Sequence, residues 1–202
     1  MNNGLESAAG RRSTDSDRQS RSGRSGKTAQ ITVEAVFPIA PLERSARVVT
    51  AVTGLLAVGL PLALLLAQPR GRGLLVLVAS PALLVALVAL PLVLSPSGYA
   101  VGSGDLAVLR RGTRPLLFPL GSLLAARPTA MPRSLRMLGS GGMFGWWGRF
   151  ANRDWGRFKA YATDRRRGVL LEWPGFKLFV SPEDPDAFCR AVLARSARKG
   201  RP

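Results

Sequence analysis

GSGGMFGWWGRFANRDWGRF, residues 139–158, sets six glycines (139, 141, 142, 145, 148 and 156) among Phe144, Trp146, Trp147, Phe150, Trp155 and Phe158. Three of the four tryptophans in the chain fall here, with Arg149, Arg153 and Arg157 between them. Glycine permits sharp or left-handed backbone that bulky residues resist. Tryptophan has a large apolar body with a single polar N–H and suits half-wet surroundings. The segment is therefore read as a loop between two strands, either packed into one end of a small barrel or exposed as a gripping surface. The adjacent pair Trp146–Trp147 argues for some exposure, because strand neighbours point to opposite faces.

Moving outward towards the C-terminus, short alternating runs are broken by glycine and proline. Strands are predicted at 98–101 and 105–110 around Gly102-Ser103-Gly104, then at 114–120 after Gly112-Thr113, and at 134–138. Beyond the glycine-rich segment, Phe158, Ala160 and Ala162 alternate with Lys159, Tyr161 and Thr163. Val169–Trp173 and Phe176–Ser181 form the last two strands, joined by Pro174-Gly175, the pair a type II turn favours at its centre. A helix follows, with Ser181 as the expected N-cap, Pro182 at its first position and Asp184 where a capping box places its acid. Phe188, Ala191, Val192 and Arg195 share one face at helical spacing.

Towards the N-terminus lie two uncharged apolar blocks, residues 48–67 and 74–94. At 1.5 Å per residue each would cover about 30 Å, the thickness of a hydrocarbon core. Neither carries the polar stripe of a soluble helix, and proline at 61, 81 and 91 is tolerated in membrane spans. The blocks are accordingly read as a transmembrane hairpin (48–94) closed by QPRGRG at 68–73, with both termini on one side. A leader of 47 residues ahead of the first block argues against a cleaved signal peptide. Residues 31–47 are expected to hold a strand, from the alternation of Ile31, Val33, Ala35 and Phe37, and a juxtamembrane segment. Residues 1–30, rich in Ser, Gly and Arg with few apolar side chains, read as a disordered basic tail.

The 202 residues carry a net charge of +17. That balance favours anionic partners such as lipid headgroups, an acidic protein or nucleic acid. No base-reading motif accompanies it, so nucleic acid is not expected. Histidine is absent and Cys189 is the only cysteine, which leaves no His/Cys metal site and no imidazole for acid–base catalysis. GSGGMFG places Phe144 where a dinucleotide fingerprint needs its last glycine, and no lysine follows its glycines as in a phosphate-binding P-loop. No catalytic residue, metal or cofactor is assigned, and the chain is read as non-enzymatic.

The order of elements, with GYAV at 98–101, the run GSGGMFGWWGRF…GRFKAYATD and the closing VSPEDPDAF, resembles the bacterial pleckstrin-homology (PH-like) family of small membrane proteins over about residues 96–195. The resemblance implies a bent barrel of about seven antiparallel strands capped by the C-terminal helix, here residues 96–198. It implies no specific activity. The fold class expected is thus an α+β membrane protein, a two-helix hairpin followed by a PH-like barrel. Its place would be the bacterial cell membrane, multi-pass, with both termini and the domain cytoplasmic. Function is expected to be lipid binding at the membrane surface. Arg149, Arg153 and Arg157 would meet anionic headgroups while Phe144, Trp146 and Trp147 enter the interface. The alternative is an adaptor that docks a protein partner on the same surface, since Trp and Arg dominate binding hot spots.

Overall fold

The structure is a computed structural model and describes residues 33–67, 86 and 88–199. The expected tail at 1–30 and the expected turn at 68–73 lie outside the described residues.

Ten strands form two sheets among the described residues. The first sheet runs β1-β2-β3-β4, from Val33–Pro38, Pro96–Gly102, Asp105–Arg110 and Leu116–Pro119. The second runs β5-β9-β10-β8-β7-β6, from Ala125–Thr129, Gly168–Trp173, Phe176–Val180, Gly156–Ala162, Gly145–Asn152 and Leu135–Gly142. Helix α1 spans Arg44–Ala67 and helix α2 spans Pro185–Lys199. Pairing is antiparallel except between β10 and β8, which run parallel, so the sheet is not wholly antiparallel as its short runs suggest.

Alternation along β10 shows how the core divides. Leu178 and Val180 enter a cluster with Tyr99, Leu106, Leu171 and Phe188, while Phe179 points the other way into a second cluster with Trp146, Phe150, Phe158 and Ala160. The second sheet is therefore covered on both faces, which explains why FKLFV lacks the polar partners of a half-solvated strand. The segment after β1 supplies part of that cover. Ala40 N donates to Ser181 O at 2.9 Å, Glu43 N donates to Thr163 O at 3.1 Å, and Ala46 is fully buried in the second cluster.

The expected two-helix transmembrane hairpin, and with it the multi-pass membrane location, is corrected. Among the described residues no helix is long and apolar enough to cross a membrane. The first apolar block lies in α1, but the opening turns of that helix are occupied by the domain. Ala46 is buried, Val49 lies beside Gly142, and the Thr50 hydroxyl accepts the Phe144 N–H at 3.0 Å. Of the second block, only residues 86 and 88–94 are described, and they are helical. Among the described residues the architecture is two sheets with helix α1 after the first strand and helix α2 at the C-terminal end.

Two local expectations also change. Residues 139–158 are not one loop between strands: they fall in β6, β7 and the start of β8, joined by tight turns. The helix cap moves from Ser181 to Asp184, whose carboxylate accepts the N–H groups of Asp186 and Ala187 at 3.1 and 2.9 Å. Ser181 is spent elsewhere. Its hydroxyl accepts the N–H groups of Thr163 and Asp164, and its own N–H donates to the Tyr99 phenol, which in turn donates to Tyr161 O at 2.6 Å. With its side chain held in the sheet, Ser181 has nothing left to offer the helix.

Candidate functional site

The β7–β8 pair builds a basic groove. In the antiparallel register Arg149 stands opposite Lys159, on the face away from Phe150 and Phe158. Alternation then puts Trp147 and Tyr161 on the same face as Arg149 and Lys159. A cavity of about 250 Å³ opens there, lined by Leu94, Arg110, Leu138, Trp147, Arg149, Lys159 and Tyr161 together with Gly139 and Gly148. A second cavity of about 250 Å³ adjoins it, sharing Arg149 and Lys159 and adding Met137, Arg157, Phe176 and Lys177. Among the described residues no carboxylate lines either cavity.

The charges in this groove are largely unneutralised. Arg149, Arg157 and Lys159 form no ion pair among the described residues, and Lys177 reaches Glu172 only at 3.8 Å. Arg110 is held by two hydrogen bonds to Arg114 O, at 3.2 and 2.6 Å. Lys159 Nζ sits 5.9 Å from the ring centres of both Phe118 and Phe176. Burial pushes the Tyr161 phenol above its ordinary value, with Arg110 and Arg149 pulling the other way. The indole N–H of Trp147 is buried without an acceptor among the described residues, in the groove wall. Like charges directly opposite on neighbouring strands repel, so the Arg149–Lys159 pair is a standing cost that an anion would relieve.

The six residues expected at a binding surface separate. Arg149 and Arg157 meet in the groove, and Trp147 lines it half-buried. Arg153 lies in the β7–β8 turn, exposed, and lines neither cavity. Trp146 is 5% exposed on the opposite face, with the Arg165 guanidinium 4.7 Å above its ring. Phe144 holds a left-handed conformation, φ +53°, in the β6–β7 turn and anchors it to Thr50. Arg110, Lys159, Tyr161 and Lys177 are not among the six residues expected at the binding surface. For Lys159 and Tyr161 the signal was present in the alternation of Phe158–Thr163. For Arg110 there was none, because only the packing of the two sheets brings β3 to this face.

Residues 125–196 match the family model of a bacterial PH domain. The match begins at β5 and ends in α2, and so takes in the whole basic face of β7 and β8. The four strands of the first sheet and α1 precede it. No curated protein and no solved structure matches the chain. PH domains are typically non-catalytic modules that bind lipids or proteins.

On the far face of the second sheet lies a separate charged cluster. Glu43, its side chain 8% exposed, pairs with Arg165 and Arg166 at 3.5 and 3.6 Å and accepts the Arg165 N–H at 3.4 Å. Burial pushes its carboxyl upward, but the Arg165 amide, the Ser45 hydroxyl and the Arg165 side chain outweigh that and hold it below the ordinary value. A carboxyl depressed in the folded state contributes stability above its unfolded pKa, about 4.3, and loses it as pH falls through the lower folded value. Glu43→Gln should therefore destabilise the protein at neutral pH, with the gap from wild type closing below about pH 4. Paired thermal melts across that range check this, and a gap independent of pH would assign the effect to packing instead.

Proposed function

We propose that this chain is a non-enzymatic binding module whose PH domain takes anionic lipid headgroups in the groove of β7 and β8. The observation that carries this reading is the cross-strand pairing of Arg149 with Lys159 in cavities that no carboxylate lines among the described residues. Arg110 and Arg157 enlarge the same positive surface. Each cation near an anionic surface adds about 1 kcal/mol, so a cluster of this size supports a salt-sensitive attachment. Insertion of the tryptophan pair is not part of the proposal, because Trp146 is buried. The same burial disfavours the adaptor reading, which needs both rings presented to a partner.

The test is vesicle flotation of the full chain. Wild type should float with phosphatidylglycerol vesicles in excess over phosphatidylcholine vesicles, and that excess should vanish near 0.5 M salt, roughly, where screening is short-ranged. R149Q/K159Q should lose about tenfold or more of the excess while melting no lower than wild type. An unchanged excess in the double variant would remove the groove from consideration.

A further inference from the structure

A second cationic cavity, of about 590 Å³, lies on the other side of the domain, between the segment entering α1 and the β8–β9 turn. Its charged lining is Glu43, Arg44, Arg47, Asp164, Arg166 and Arg167. Both acids are already committed. Glu43 is buried against Arg165 and Arg166, and Asp164 accepts the Arg166 N–H at 2.7 Å, which closes the turn. Arg44, Arg47 and Arg167 are exposed and form no ion pair among the described residues. Arg44 and Arg47 also occupy the first turn of a 24-residue helix that has no acid in that turn. Cations there oppose the helix dipole. The walls are held in place independently of any ligand, since Glu43 N donates to Thr163 O and the Thr163 hydroxyl donates to Ala40 O.

We infer that this cavity is a phosphate-type anion site, distinct from the lipid groove. Guanidinium groups form paired hydrogen bonds to phosphate oxygens. Three free arginines plus Arg166 exceed what a monocarboxylate with two oxygens can satisfy, whereas a tetrahedral phosphate group presents oxygens in several directions. The ligand chemistry is therefore a phosphate monoester or phosphodiester, supplied either by a free phosphate compound or by a lipid headgroup. Bound there, it would bridge the base of α1 to the β8–β9 turn and offset repulsion that the bare cavity carries.

The full chain is melted and titrated with inorganic phosphate, against chloride and acetate at matched ionic strength. In parallel it is floated with phosphatidic acid and phosphatidylcholine vesicles. Phosphate should raise the melting temperature beyond both control anions, and R47Q/R167Q should weaken phosphate binding about tenfold or more. In an R149Q/K159Q background, which removes any phosphate response of the groove, R47Q/R167Q should still abolish the remaining response, and this separates failure of this site from failure of the groove. R47K/R167K should recover part of the loss, because charge returns without the planar fork. If phosphate has no effect but R47Q/R167Q selectively loses phosphatidic acid vesicles, the source is a headgroup and the chemistry stands. Phosphate binding in the R149Q/K159Q background that R47Q/R167Q does not weaken, or the absence of both responses in wild type, overturns the inference.

Discussion

Gly148→Ala is expected to destabilise the protein severely, by about 3 kcal/mol or more, and to remove the groove with it. Gly148 has φ +119° and pairs across the β6–β7 ladder with Gly139, whose φ is +113°. A Cβ added at Gly148 would run into Leu138 O and Gly139 Cα, both backbone atoms of the neighbouring strand that have no rotamer to yield. The two glycines thus allow two chains to approach where no other residue fits. Arg149 follows immediately, so any shift that accommodates the methyl group moves a cation the groove depends on. Gly156→Ala is the matched comparison. It too has a positive φ, +68°, but nothing lies within 4 Å of its added Cβ. Its cost should be confined to the left-handed backbone, about 1 kcal/mol. Urea unfolding of the two variants side by side checks the contrast, and equal midpoints would contradict the packing of β6 on β7.

Phe188→Ala is expected to cost about 3–5 kcal/mol, lowering the melting temperature by roughly 10 °C or more. Phe188 is fully buried and meets Phe37 edge-on at 5.3 Å and Tyr99 at 5.8 Å. It is the point where α2, β1 and β2 converge, so its removal opens a cavity shared by three elements. The loss should spread to β1, which is otherwise an edge strand tied down by the Arg195–Glu34 pair at 3.0 Å. Hydrogen exchange should show β1 amides losing protection before those of β8 and β10. Phe188→Leu keeps most of the volume and should cost less than about 1.5 kcal/mol. A small effect of the alanine variant would mean that α2 is not docked on the sheets.

Much of the strand pattern was legible because burial of one face imposes a period of two. Asp105–Arg110 and Val169–Trp173 appear as strands at the expected residues. Gly175, at φ +82°, takes the position in the turn that Pro174-Gly175 announced. The Gly/Trp segment was misread as a loop because glycine usually weakens strands. Here Gly139 and Gly148 are demanded by the pairing itself, a relation between two strands that neither shows alone. β5 was missed because AARPT contains a proline and little alternation; it pairs only at the sheet edge, where proline is tolerated. The hairpin expectation failed for a related reason. Counting uncharged residues treats 48–67 as one free block, whereas the domain claims Val49 and Thr50 for contacts with the β6–β7 turn.

Composition and local pattern carry the strong positive charge, the lack of histidine chemistry, the alternation that makes strands and the amphipathic stripe that makes α2. These follow from composition and from local geometry, which repeat every two or 3.6 residues, roughly. Tertiary structure alone decided which cations share a surface. Register put Arg149 against Lys159, the packing of the two sheets brought up Arg110, and the turn at 164–167 gathered Arg166 and Arg167 around Arg44 and Arg47. Those groupings join residues far apart in the chain, and Coulomb energy depends on distance in space, not on separation in sequence.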